Sequence, residues 1–164
     1  IFLIKKRTKN KPLPLIAASL AMVKRFFYLN KRESALAKKY WPGPLTILLK
    51  PRKKFPPALA LGRKKLAVRA SSSAAICKIS AALGNPVTAT SANRSGAGEC
   101  YSALCVEKAF GDYKNMPDMI LDAGVLARAL PSTIIEVSGD KIKVLRQGQI
   151  VVNPKFKVQR SNKN

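Results

Sequence analysis

The chain has 164 residues, enough for one domain with a real core, and at 47% hydrophobic residues it is not a disordered chain. Its net charge is +23, from 31 Lys and Arg against 8 Asp and Glu, which suits polyanionic partners and excludes a protein built around carboxylate clusters. It has no histidine, which excludes histidine general bases, Ser-His and Cys-His dyads and histidine-ligated zinc, so catalysis must rest on cations, hydroxyls and backbone dipoles.

The chain begins with Ile, followed by Lys5-Lys6-Arg7, without the apolar core of a signal peptide. That start reads as internal to a longer reading frame, or as a damaged one. Ile1–Ile4 is expected to end a strand or helix. Pro12 and Pro14 exclude a helix, and Leu13–Ala17 reads as an extended edge segment. Ser19–Phe27 and Lys31–Tyr40 show apolar residues at helical spacing and predict two helices. Trp41-Pro42-Gly43-Pro44 ends the second, and Leu45–Leu49 predicts a strand. Lys50–Lys65 reads as an exposed basic loop, and Leu66–Arg69 as a short strand ending in a cation. Ser73–Leu83 predicts a helix capped by serines and stopped at Gly84-Asn85-Pro86. Val87–Thr90 predicts a strand, Ser102–Phe110 a helix and Met119–Leu121 a strand. Ser132–Val137 and Lys141–Leu145 predict a hairpin across Ser138-Gly139-Asp140. Residues 1–150 form the expected domain, and residues 151–164 a loose basic tail. The irregular order of elements implies an α/β or α+β fold, with a mixed sheet flanked by helices. No run reaches the roughly 18 apolar residues of a membrane helix. Cys77, Cys100 and Cys105 sit at no metal-ligand spacing, so reduced thiols and a cytoplasmic location are expected.

The charge is lopsided. Residues 1–69 hold 19 cations against one carboxylate, Glu33, a net +18. Such a field attracts RNA, nucleotides and anionic surfaces, and it equally suits a solvated lysine-rich face. If residues 5–11 were extended, Lys5, Arg7, Lys9 and Lys11 would share one side and could hold a triphosphate, or simply face water. Ser91 and Asn93, two apart before Gly96, could present a hydroxyl and an amide to phosphate oxygens or a ribose, or form an ordinary capped turn. Arg69 at a strand end could clamp a carboxylate. Ser132-Thr133 after Pro131 could offer hydroxyl and backbone donors, and Arg146 before Gly148 could meet a ligand. Surface and turn roles fit these residues as well.

The motifs gain weight from their order. Lys5-x-Arg7-x-x-x-Lys11-Pro12-Leu13 is followed by Trp41-Pro42-Gly43-Pro44-Leu45-Thr46 and by Ala67-Val68-Arg69. Thr90-Ser91-Ala92-Asn93-x-Ser95-Gly96 comes next, then Pro131-Ser132-Thr133-Ile134, then Leu145-Arg146-x-Gly148. Over roughly residues 1–150 this series resembles the YrdC-like family of threonylcarbamoyl-AMP synthases. The resemblance implies a twisted open α/β sheet with a basic concave cavity. It implies formation of threonylcarbamoyl-AMP from L-threonine, bicarbonate and ATP with release of pyrophosphate, in support of the t6A modification of tRNA by downstream transferase proteins. By motif, Lys5, Arg7, Lys11, Ser91, Asn93 and Arg146 would bind ATP, and Arg69 and Ser132 would bind threonine. Mg2+ would be held mainly by the ATP phosphates, with no metal site of the protein's own.

The family pattern is not matched throughout. The Pro-Thr-(Asp/Glu)-Thr-x-Tyr-Gly-Leu-like segment that opens the family is not in this sequence, and Ile16 stands where the family usually has His. Lys6 and Thr8 replace Gly and Pro, Ala70 replaces Pro, Glu99 replaces Ser or Thr, and Ala129 replaces Gly. The ATP side is thus better matched than the threonine side. Two rival expectations follow: a non-catalytic module that binds tRNA or double-stranded RNA, or an inactive remnant, and a carbamoyl-transfer domain like those of hydrogenase-maturation proteins. The last lacks its accompanying zinc-finger and acylphosphatase segments here.

Overall fold

The computed structural model describes residues 1–8, 10–111 and 115–156; Lys9 and most of the expected basic tail, residues 157–164, lie outside the described residues. The chain divides into two compact units. The smaller comprises Ile1–Pro12 and Thr90–Ala129, the larger Leu13–Ala89 and Leu130–Asn164.

The larger unit is built on a mixed sheet, which has seven strands among the described residues. In chain order its elements are β1 (Leu15–Ala17), α1 (Leu20–Phe26), β2 (Phe27–Tyr28), α2 (Lys31–Tyr40), β3 (Leu45–Pro51), α3 (Pro57–Ala60), β4 (Leu66–Ala70), α4 (Ala74–Ala82) and β5 (Val87–Thr88). The smaller unit contributes α5 (Ala103–Phe110), and the larger ends with β6 (Thr133–Ser138) and β7 (Lys141–Arg146). The strand order is β5-β1-β4-β3-β6-β7, with β2 added to β3. The β1–β4 and β3–β6 pairs are parallel and the others antiparallel. The expected mixed α/β sheet is therefore present. Two details differ from expectation: β1 is flanked by β4 and β5 rather than lying at an edge, and the basic loop contains α3.

Alternation along the strands explains the core. Leu45, Ile47 and Leu49 of β3, Leu66, Val68 and Ala70 of β4, and Ile135 and Val137 of β6 are buried in one cluster. Met22, Val23 and Phe26 of α1 and Leu36 and Ala37 of α2 complete it at the expected helical spacing. Local chemistry fixes the helix starts. The Ser19 Oγ accepts from Met22 N at 3.1 Å. The α2 start is a capping box: Glu33 N donates to Asn30 Oδ1 at 2.8 Å, and Asn30 N donates to Glu33 Oε2 at 2.7 Å. The Ser73 side chain, by contrast, makes no cap bond at α4. The Trp-Pro-Gly-Pro turn is held by Trp41 Nε1 donating to the Leu45 carbonyl at 2.6 Å. A Cβ at Gly43 would stand 2.5 Å from the Tyr40 carbonyl oxygen, so the turn requires glycine there. Val152 is buried in the same cluster, so the loose tail does not begin at residue 151.

In the smaller unit, Met119–Leu121 forms no strand; it is exposed and has no ladder partner among the described residues. Cys100 and Cys105 form a disulfide with Cα atoms 5.4 Å apart, which corrects the expectation of three reduced thiols. The turn into α5, capped by Ser102, brings the two together, a contact that metal-ligand spacing rules do not address. Cys77 alone is a free thiol.

Ile47 lies at the centre of the sheet with no exposure. Ile47→Ala is expected to lower stability by about 2–5 kcal/mol, read as a reduced urea midpoint with unchanged slope.

Candidate functional site

The face of the sheet opposite the core carries the larger unit's candidate site. Arg69 lies between buried Val68 and Ala70, Thr46 between Leu45 and Ile47, and Ile134 between Thr133 and Ile135. Strand register lines them up. Ile16 pairs with Arg69, Thr46 pairs with Ile134, and Ile134 pairs with Arg146. Ile47 pairs with Val68 in an antiparallel ladder, which sets Thr46 level with Arg69. One row across five strands therefore reads Ile16, Arg69, Thr46, Ile134, Arg146.

Hydrogen bonds tie this row to the segment before β6. Thr46 Oγ1 and Ser132 Oγ lie 2.8 Å apart. Arg146 donates from Nη2 to the Ser132 carbonyl at 2.8 Å and to Ser132 Oγ at 3.1 Å, and from Nε to the same carbonyl at 3.1 Å. Thr133 Oγ1 accepts from Gly148 N at 3.0 Å, and Gln149 N donates to the Pro131 carbonyl at 2.9 Å. A Cβ at Gly148 would lie 2.1 Å from the Pro131 carbonyl oxygen, so the Pro-Ser-Thr and Leu-Arg-x-Gly motifs approach each other through a glycine.

Arg69 has no hydrogen-bond or ion-pair partner among the described residues. Burial holds its guanidinium below the usual arginine value, Arg146 adds to the shift, and Cys77 opposes it. Two guanidiniums that repel each other beside two hydroxyls form a place where an anion relieves the repulsion.

The smaller unit overturns the extended reading of residues 5–11. Lys5 N donates to the Ile1 carbonyl and Arg7 N to the Phe2 carbonyl, each at 2.9 Å, so the segment is coiled into turns. Lys5, Arg7 and Lys11 therefore do not form one cationic face. Lys5 is buried, and its Nζ donates to the Ser91 carbonyl at 2.5 Å, to Asn93 Oδ1 at 3.0 Å and to the Asn93 carbonyl. Burial pushes its amine below the ordinary lysine value, helped by Arg7 and opposed by Glu99. Arg7 donates to the Pro12 carbonyl at 3.1 Å and the Lys11 carbonyl at 3.5 Å, and Lys11 is exposed. Ser91 Oγ donates to Asn93 Oδ1 at 2.6 Å, and Asn93 Nδ2 donates to the Ala97 carbonyl at 2.5 Å. Lys5, Ser91 and Asn93 are thus brought together as one braced loop. Beside it lies a cavity of about 400 Å³, lined chiefly by apolar residues such as Ile4, Val106, Phe110 and Leu121, with Lys5 its one cation. This cavity is apolar.

The model of the Sua5–YciO–YrdC family, described as telomere recombination, matches residues 1–148. The chain belongs to this family. It is 31% identical over 152 residues to a putative threonylcarbamoyl-AMP synthase of Methanocaldococcus jannaschii, covering 93% of this chain and 70% of that protein. It is 33% identical to the threonylcarbamoyl-AMP synthase of Chromobacterium violaceum, covering 87% of this chain and 72% of that one. Among solved structures, the fold is similar to P. abyssi Sua5 complexed with L-threonine, at 30% identity and a TM-score of 0.77. That match covers 90% of this chain but only 43% of the Sua5 chain.

Within the family frame, Thr46 is the site-face residue that sequence reasoning missed. Its signal was a buried hydroxyl inside an otherwise apolar strand. Ile16, where the resemblance leads one to expect His, is the direct neighbour of Arg69. The departure therefore falls beside the expected threonine-binding arginine.

Lys5→Met removes the one donor that the Ser91 carbonyl, the Asn93 carbonyl and Asn93 Oδ1 share. It is expected to cost about 2–3 kcal/mol and to speed amide exchange in residues 90–97, measured by hydrogen–deuterium exchange.

Proposed function

We propose that the chain is a threonylcarbamoyl-AMP synthase, joining L-threonine, bicarbonate and ATP and releasing pyrophosphate. The observation that carries this reading is the row of Arg69, Thr46 and Arg146 closed by Ser132, two guanidiniums and two hydroxyls on the face of the sheet opposite the core. The names of the relatives at 31% and 33% identity support it.

In this reading Arg69 takes the threonine carboxylate, and Ser132 hydrogen-bonds the amino acid. Arg146, already on Ser132, takes the ATP phosphates at the point where the two substrates are joined. In the smaller unit Lys5, Arg7, Lys11, Ser91 and Asn93 serve ATP. The Lys5 protons are spent on Ser91 and Asn93, so Lys5 acts first by shaping the loop and meets a phosphate only by releasing a carbonyl. Among the described residues no group of three His, Cys, Asp or Glu could hold a metal ion. That donor set fits an ion that arrives on the phosphates, so Mg2+ enters as part of the substrate MgATP.

Bicarbonate gives CO2 by losing hydroxide, the threonine amine adds to the CO2 carbon to form a carbamate, and the proton that the nitrogen loses joins the hydroxide as water. A carbamate oxygen then attacks the α-phosphorus, the bond to the bridging oxygen breaks, and pyrophosphate leaves with the electron pair. Positioning and charge neutralisation by Arg69 and Arg146 suffice for this chemistry, which suits a chain without histidine. The product would pass, in the cytoplasm, to the transferase proteins that build t6A on tRNA.

Pyrophosphate release from MgATP and bicarbonate is expected to depend on L-threonine; release indifferent to threonine would sink the assignment. Arg69→Lys is expected to raise the KM for threonine about 10- to 100-fold, the loss of a charge-assisted bidentate pair, while the KM for ATP stays near its original value.

A further inference from the structure

We propose that the Cys100–Cys105 disulfide is a site of reversible exchange with a dithiol, and that its opening loosens the α5 wall of the smaller unit's cavity. The two cysteines bracket the start of α5. Cys100 lies just before the Ser102 cap, and Cys105 is the third residue of the helix. Two hydrogen bonds fasten this turn: Cys105 N donates to Ser102 Oγ at 3.3 Å, and Val106 N donates to the Ser102 carbonyl at 3.2 Å. Both are longer than the common ~2.9 Å, so the covalent bridge is the firm part of the fastening. Cys100, Ser102, Ala103 and Val106 line the cavity that Lys5 and Ser91 also line. The bridge therefore sits in the wall of that cavity. Leu126 N donates to the Tyr101 carbonyl at 2.7 Å, which keeps the loop anchored when the bridge opens and confines the change to the first turn of α5.

The placement of the bridge suits exchange better than stapling. The cysteines are five residues apart, so the bridge removes less chain entropy from the unfolded state than one that closes a long loop. It ties α5 to its own entry and joins no second helix or strand. Both cysteines are half-buried, Gly98 and Glu99 beside them are exposed, and a small dithiol has an approach to the sulfurs. The helix sets the direction of attack. A thiolate of the dithiol attacks Cys100 Sγ, and the disulfide bond breaks with its electron pair going to Cys105 Sγ. Cys105 lies in the first turn of α5, where the positive end of the helix dipole stabilises the departing thiolate. The second thiol of the reductant then displaces Cys100 from the mixed disulfide. The protein gains two electrons and two protons as a pair of thiols, and the dithiol loses them in becoming a disulfide. No step uses the Arg69 row or an ATP phosphate, so the inference does not rest on the synthase reading.

The test uses the full chain carrying Cys77→Ser, which removes the free thiol that could join the exchange. The folded chain is oxidised with oxidised glutathione or reduced with dithiothreitol, and its thiols are counted by alkylation and mass spectrometry. The oxidised form is expected to show no alkylation and the reduced form alkylation at both Cys100 and Cys105. Hydrogen–deuterium exchange at Cys105 and Val106 is expected to run roughly tenfold faster in the reduced form, while residues 90–97 keep their rates under the Lys5 brace. Cys100→Ser is expected to exchange like the reduced form whether or not dithiothreitol is present, and Cys105→Ser repeats the comparison from the other sulfur. Thiols that stay free in oxidised glutathione would overturn the proposal. So would a bridge that dithiothreitol opens only in denaturant, which marks a structural staple, or equal exchange at Cys105 and Val106 in the two forms.

Discussion

Strict alternation along three central strands organises the larger unit. Every second residue of β3, β4 and β6 is committed to a core shared with α1 and α2, and that commitment fixes the register of the sheet. The intervening positions must then face the other way. A slip of one residue would drive Arg69 into the apolar cluster and expose Val68. The same force that buries the leucines and isoleucines therefore places Arg69, Thr46 and Arg146 in one row, and the hydrophobic effect sets the site's geometry without touching a ligand.

Backbone contacts finish what the sheet begins. The Pro-Ser-Thr and Leu-Arg-x-Gly segments are 14 residues apart from Ser132 to Arg146 yet lock together through Thr133, Gly148 and the Arg146 guanidinium. The smaller unit uses a different device. A lysine buried under its own loop ties residues 1–7 to residues 91–93, an arrangement in which carbonyl oxygens replace water around an ammonium group.

Much of this is legible in the residues because its causes are local. Helical spacing gives α1 and α2, Asn30 and Glu33 mark a capping box, Leu45–Leu49 is an apolar β-rich run, and Gly139-Asp140 closes a hairpin. The order of six short motifs points to the family that the comparisons establish. The errors have a common physical character. Lys5 and Arg7 alternate in sequence but lie in turns, and the Lys5 side chain finds its acceptors 86 to 88 residues away. Cys100 and Cys105 pair because of how the chain enters α5, and Met119–Leu121 has strand composition but no ladder partner among the described residues.

The sequence by itself determined composition, charge, the absence of histidine, the local elements and the motif order, since each depends on residue type and short spacing. Only the tertiary structure decided that Thr46 stands level with Arg69, that Ile16 neighbours that arginine, that Arg146 rests on Ser132, and that Lys5 is buried rather than displayed. Those facts depend on strand register and on which distant acceptor or core surface a side chain meets, and such choices are settled by long-range packing and desolvation, which no local pattern encodes.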